Sequence, residues 1–150
     1  MALPIRQEQL EQMMVHFSTA CRTAGLKLTH QRTEIYRHLL LTADHPSAET
    51  LYKRLLPALP TISLDTVYRT LTTLEQHGLV ARIQTAESQA RFEAVYDPHH
   101  HLICSKCKQV VDFQWPDIEQ LELPTNVHQW GSIDSKTIVM YGVCNNCSTT

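Results

Sequence analysis

The stretch His99-His100-His101-Leu102-Ile103-Cys104-Ser105-Lys106-Cys107, answered by Cys144-Asn145-Asn146-Cys147, decides how the second half of this chain is read. Two Cys-x-x-Cys pairs supply four thiolates, the donor set of a closed tetrahedral zinc site. A two-residue gap lets both sulfurs of a pair turn toward one point. The 36 residues between the pairs (108–143) leave room for a helix and a strand to be stapled together. With all four positions filled by protein, such a site has no open place for catalysis and serves to hold structure. The competing reading is a disulfide or a thiol–disulfide redox centre. Five cysteines, an odd number, fit a disulfide scaffold poorly. The fifth, Cys21, falls on an apparent helix and reads as a buried structural thiol.

The histidines just before the first pair carry different chemistry. Along a strand His99 and His101 project to one face and His100 to the other. Alone, such a run also reads as a solvated strand edge. Further nitrogen and oxygen donors stand at Glu93, at Asp112 and at His45, in a turn of the first half. Three imidazoles with two carboxylates suit Fe2+ or Mn2+ better than a sulfur-rich site does. Spacing does not bring His45 beside His99.

The first 95 residues read as helices followed by a hairpin. Residues 5–24 place Leu10, Met13, Met14, Phe17, Ala20 and Cys21 at helical spacing, and Gly25 stops them. Thr29 caps a second helix with Ile35, Tyr36, Leu39 and Leu40 inward. Asp44-His45-Pro46 breaks it, because the residue before proline is pushed from helical angles toward extended ones. Ser47 opens a third helix carrying Leu51, Tyr52, Leu55 and Leu56, and Ser63 caps a fourth, Leu64–His77, that Gly78 ends. Residues 79–83 and 90–95 are expected strands with a turn at 85–88. This order is that of a winged helix, in which the last helix enters the major groove. Residues 96–98 read as a hinge. Beyond it come strands over 101–104, 109–113 and 137–141 and one helix from Pro116 to about Leu121. The expected class is therefore α+β: a winged-helix domain over 1–95 and a small α/β domain over 99–150, too short to hold itself without metal or dimerisation.

The bulk numbers are those of an ordinary globular chain: 150 residues, 43% apolar, 19% charged, net charge -2. No run of eighteen apolar residues argues for a membrane span, and the first residues read as a helix lead-in, so a cytoplasmic protein is expected. Residues 1–95 carry ten Lys+Arg against nine Asp+Glu, and residues 96–150 three against six. Charge thus permits nucleic-acid binding by the first half without arguing for it. An enzyme with an open metal position is the other class to weigh, but GxSxG, HExxH and phosphate-loop motifs are missing and the winged-helix pattern would go unexplained. A plain zinc-ribbon interaction module would leave the histidines without a role.

Several blocks together resemble the ferric uptake regulator (Fur) family of metal-dependent repressors: Gly25-Leu26-Lys27-Leu28-Thr29-His30-Gln31-Arg32, His45-Pro46-Ser47-Ala48-Glu49-Thr50-Leu51-Tyr52, Ser63-Leu64-Asp65-Thr66-Val67-Tyr68-Arg69-Thr70-Leu71, Arg91-Phe92-Glu93, His99-x-His101-Leu102-Ile103-Cys104-x-x-Cys107, Val111-Asp112-Phe113 and Tyr141-Gly142-Val143-Cys144-x-x-Cys147. They span about residues 20–147 in collinear order. The resemblance implies a homodimer that binds an inverted-repeat DNA operator when metal-loaded. It implies structural Zn2+ on Cys104, Cys107, Cys144 and Cys147, and regulatory Fe2+ or Mn2+ on His45, Glu93, His99, His101 and Asp112. Tyr68 and Arg69, flanked by Thr66 and Thr70, are the implied DNA contacts: the tyrosine through thymine methyls, the arginine through guanine acceptors or phosphate.

Within the family, the peroxide-responsive (PerR) branch oxidises ligand histidines, here His45 and His99. The iron-uptake branch often carries a further histidine-rich site. His100 stands where an acidic ligand of that site is expected, and Lys136 where it needs a histidine. These departures, with Asp112, favour the peroxide-sensor layout. Glu93 in place of aspartate, and Arg69 in place of asparagine, point instead to an iron-uptake regulator, with a zinc-uptake member as a third reading.

Overall fold

The computed structural model describes residues 5–42, 44–84, 89–95 and 99–149. The chain divides into two compact units, residues 1–96 and 97–150. The expected turn at 85–88 and hinge at 96–98 lie outside the described residues.

The first unit contains α1 (Gln7–Thr23), α2 (His30–Leu41), α3 (Ala48–Leu55) and α4 (Leu64–Gln76), then β1 (Val80–Ile83) and β2 (Arg91–Ala94). All three expected caps are made. Thr29 Oγ1 accepts from the Arg32 N–H (3.1 Å), Ser47 Oγ from that of Thr50 (3.2 Å) and Ser63 Oγ from that of Thr66 (3.0 Å). At the other ends Gly25 and Gly78 both sit at φ +74°, where a side chain would be strained. The turn this allows lets the Leu26 N–H reach the Cys21 carbonyl (2.8 Å) and the Leu79 N–H that of Leu74 (2.9 Å), closing α1 and α4.

The helices bury their stripes against one another. The Phe17 and Tyr36 rings stack at 4.0 Å and 6°, surrounded by Ile35, Leu51, Leu55, Val67, Leu71 and Leu74, all essentially inaccessible. Cys21 joins this core, and burial pushes its thiol up, so it packs as a neutral group. β1 and β2 pair antiparallel, Val80 opposite Ala94 and Ile83 opposite Arg91.

The second unit holds β3 (His100–Cys104), β4 (Val110–Phe113) and β5 (Val139–Gly142) in the order β4-β3-β5. β4 is antiparallel to β3 and β5 parallel to it. A parallel neighbour requires a crossover, here residues 114–138 with α5 (Pro116–Glu119) and α6 (Thr125–Trp130). The helix expected to reach Leu121 is a single turn, and α6 is one that periodicity does not announce. It has only Val127 and Trp130 as large apolar residues and buries nothing, so no inward stripe marks it. A last turn, α7 (Asn145–Ser148), follows Cys144.

The cap at Ser63 sets where α4 begins. Replacing it by alanine orphans the Thr66 N–H and is expected to cost about 1 kcal/mol, whereas S63D retains an acceptor and most of the stability. Urea unfolding followed by circular dichroism checks both; equal loss in the two variants would mean the cap contributes nothing.

Candidate metal centres

The sulfur cluster lies within the second unit. Cys104 ends β3, Cys107 follows a tight turn, Cys144 precedes α7 and Cys147 lies within it. Their four Sγ atoms lie within 4.8 Å of one another, and Cys107 Sγ is 3.8 Å from Cys144 Sγ. A tetrahedron with Zn–S bonds of about 2.3 Å has edges of about 3.8 Å, so the spacing fits zinc and is far too long for a disulfide. The backbone prepares the donors: the N–H groups of Cys144 (3.4 Å) and Cys107 (3.5 Å) both point at Cys104 Sγ. These hydrogen bonds hold the Cys104 thiol down to about 6, while hydrogen bonding to the Cys144 sulfur, with burial, pushes Cys147 up to about 12. Four sulfurs this close cannot all ionise unless a cation offsets their repulsion.

The nitrogen and oxygen donors fall into two groups, one in each unit. In the first, His45 Nε2 lies 3.1 Å from Glu93 Oε2, and both residues are buried. The loop that presents His45 is unusual. The expected break before Pro46 is present, but His45 lies at φ +52°, in the left-handed region and not the extended one. That conformation costs a residue with a β-carbon about 1–2 kcal/mol, and local bonds sustain it. Arg91 donates from Nε to the His45 carbonyl (2.8 Å) and from Nη2 to the Asp44 carbonyl (2.9 Å), while the Phe92 N–H reaches the Pro46 carbonyl (3.0 Å). The Asp44 carboxylate accepts from Thr42 and from both Nη atoms of Arg54, which hold it well below the usual carboxylate range.

In the second unit His101 Nε2 is 3.5 Å and His99 Nε2 3.9 Å from Asp112 Oδ1, and the two imidazoles meet edge to face at 5.0 Å. His101 sits opposite Asp112 across the β3–β4 ladder, so register brings these donors together. Around a first-row ion with bonds of about 2.0–2.2 Å, neighbouring octahedral ligands stand about 3 Å apart. The His45–Glu93 separation matches that edge, and the chemistry of both sets, imidazole and carboxylate without thiolate, fits Fe2+ or Mn2+. His100 faces the opposite way, as alternation requires, and is fully buried. Its Nδ1 accepts from the Ile138 N–H (3.0 Å), and its Nε2 lies 2.9 Å from Glu119 Oε1. Lys136 Nζ donates to the Glu119 carbonyl (2.9 Å). His100 and Lys136 thus engage Glu119 within the protein.

On α4, Tyr68 and Arg69 are exposed, but the other candidates differ. Thr70 is buried at 8% exposure, on the same side of α4 as Leu71 and Leu74. Thr66 is half-buried with its hydroxyl 2.8 Å from that of Ser63, and Thr72, unnoticed in the sequence, is exposed on the outer face. Tyr68 donates its hydroxyl to Glu49, which raises the phenol and lowers the carboxylate. Arg69 Nη2 meets Asp65 Oδ2 at 2.6 Å. Neither Glu49 nor Asp65 carries a sequence signal beyond its place in a first helical turn.

Comparison with known proteins decides what this combination belongs to. Residues 23–141 match the model of the ferric uptake regulator family. The chain belongs to the ferric uptake regulator family. It is 30% identical over 145 residues, 97% of this chain and 98% of the relative, to the peroxide-responsive repressor PerR of Staphylococcus aureus. Among solved structures it is similar to the Helicobacter pylori ferric uptake regulator, described as having three functional metal-binding sites, at TM-score 0.71 and 25% identity over 98% and 97% of the two chains. It is also similar to the Pseudomonas aeruginosa regulator with manganese, at TM-score 0.70 and 30% identity over 85% and 97%. Members of the ferric uptake regulator family are transcription regulators and not enzymes, and this chain is a metal-responsive regulator of that family.

With zinc holding the sulfur cluster, C144S is expected to lower bound zinc from about one ion per protomer to below about 0.1 and to unfold the second unit, leaving the helices of the first. Elemental analysis with circular dichroism reads both. A reduced, zinc-free protein that keeps its sheet would contradict a structural role for the metal.

Proposed function

We propose that the protein is a transcriptional repressor that binds an inverted-repeat, double-stranded DNA operator as a homodimer, and that it is a PerR-type peroxide sensor. In this reading residues 1–95 form a winged-helix domain that reads DNA through α4. Residues 96–98 are the hinge and 99–150 the dimerisation domain. Zn2+ sits on Cys104, Cys107, Cys144 and Cys147. One Fe2+ or Mn2+ ion takes His45, Glu93, His99, His101 and Asp112 and favours the operator-binding arrangement. Tyr68 and Arg69 contact the DNA, with Thr66 and the exposed Thr72 beside them. A regulator acting on DNA works in the cytoplasm, and no helix among the described residues is long and apolar enough to cross a membrane.

The observation that carries the reading is the separation of donor types. Imidazoles and carboxylates are paired at 3.1 to 3.9 Å on one hand, and an all-sulfur cluster stands apart on the other. The hard set binds ions that exchange with the cell, and the soft set holds one that does not. The homodimer is supported by exposed apolar groups around β5, an edge strand among the described residues: Leu102, Met140, Tyr141 and Val143 are exposed and line a groove of about 210 Å³. Iron(II), when bound, would mediate the reduction of hydrogen peroxide to water, the two electrons coming in net from a ligand histidine, His45 or His99, which keeps one peroxide oxygen. The peroxide branch is favoured by the commitment of His100 and Lys136 to Glu119 and by the full-length likeness to PerR. One observation favours an iron-uptake regulator instead: Glu93, a longer arm than aspartate, is the carboxylate paired with His45.

Two measurements test the reading. Operator binding should strengthen on adding Mn2+ by a factor within the usual allosteric range of roughly 5–150, and H45A and H101A should each remove that gain. DNA affinity in the presence of Mn2+ that is unchanged from the parent in both variants would reduce the protein to a zinc-stabilised interaction module. Iron-loaded protein treated with peroxide should gain one oxygen on the peptide containing His45 or His99. If the mass is unchanged while Mn2+-stimulated binding persists, the iron-uptake reading replaces the peroxide one.

A further inference from the structure

We propose that Arg91, aided by the Asp44–Arg54 pair, is a positioning residue for the regulatory metal: it locks the left-handed backbone at His45 so that the imidazole meets Glu93. The inference rests on the assignment of His45 and Glu93 as ligands of that metal.

The argument starts from the backbone. A residue before proline favours extended angles, yet His45 sits at φ +52°. Released to its preferred region, the chain would swing the Cα–Cβ bond of His45 and carry the imidazole away from the Glu93 carboxylate, now 3.1 Å distant. Arg91 opposes that swing at two consecutive carbonyls, those of Asp44 (2.9 Å) and His45 (2.8 Å), which a planar guanidinium can grip together.

Arg91 and Glu93 are two residues apart on β2, so they leave the strand on the same side. One strand thereby offers the loop both a clamp for the backbone of His45 and a partner for its ring. From the other direction, α3 holds the Asp44 side chain through the two Arg54 nitrogens (2.9 and 2.5 Å). The loop is fixed from both flanks of the ligand. Supporting groups of this kind orient metal ligands, and losing one typically weakens binding by 10–100-fold.

The test uses the full-length, zinc-loaded protein and Mn2+ titrated by electron paramagnetic resonance of the free ion. R91K keeps the charge but cannot span both carbonyls; it is expected to weaken Mn2+ binding roughly 10–100-fold with zinc content unchanged. R54Q, at an exposed position tolerant of change, should weaken it less. H45A separates the two levels of the argument. If H45A leaves Mn2+ affinity intact, His45 is not a ligand and the ligand assignment itself fails. If H45A weakens the affinity but R91K and R54Q match the parent, the ligand stands and the positioning role is overturned. In the H45A background R91K should change residual Mn2+ binding no further. A further loss there would mark a general structural role and also overturn the proposal.

Discussion

The four sulfurs are the constraint on which the second unit depends. Among its described residues only Ile103, Cys104 and Val110 are buried apolar groups, beside the buried His100 and His101. At about 25 cal/mol per Å² of apolar surface, three such side chains cannot offset the entropy of ordering some fifty residues. The second CxxC pair lies past β5 at the far end of the crossover, so gathering the four cysteines closes the entire loop from β3 to α7. The Ser105 N–H on the Gly142 carbonyl (2.8 Å) and the Cys144 N–H on Cys104 Sγ show the two cysteine turns already laid against each other. A cation bound there would join turns that the backbone has aligned, coupling metal binding to folding.

The same strand that ends in the sulfur cluster begins beside a different chemistry, and alternation keeps the two apart. His99 and His101 turn toward Asp112, His100 turns to Glu119 and the Ile138 N–H, and Cys104 starts the sulfur turn. Four residues within six positions thus serve three environments. A one-residue slip of β3 against β4 would take His101 from opposite Asp112 and reverse every face. Register is therefore held jointly by the sulfur cluster at one end of β3 and, at the other, by the buried His100 ring paired with the exposed Glu119.

Much of this was legible. Thr29, Ser47 and Ser63 cap as their side chains dictate, Gly25 and Gly78 close the helices, and the CxxC spacing announced a cluster that distances then matched. What escaped was long-range or apolar-poor. α6 buries no side chain and so leaves no periodic trace. The left-handed backbone of His45 arises from Arg91, 46 positions away, while local preference pointed to an extended residue. Thr70 looked available because it adjoins Arg69, but a helix turns 100° per residue, and that step carries it from the outer face to the core beside Leu71 and Leu74.

Under the proposal that α4 reads DNA, that rotation also narrows how it would do so. Its exposed positions are Asp65, Tyr68, Arg69, Thr72 and, at its end, Gln76, and the two most informative side chains are already held. Tyr68 is tied to Glu49 of α3, and Arg69 to Asp65 one turn back. The tyrosine hydroxyl is spent on the protein, which leaves its ring as the part free to pack on a thymine methyl. The Arg69–Asp65 pair is exposed on both sides, so its strength is slight and a guanine edge or a phosphate can take the guanidinium from it. In that proposed complex Asp65, once released, would stand as a negative charge that repels phosphate and accepts only from amino groups of bases. With ten basic against nine acidic residues in the first 95, such a surface has little unspecific attraction to draw on. Discrimination must then come from the shape and donors of this one helical face, held in place by its own acids.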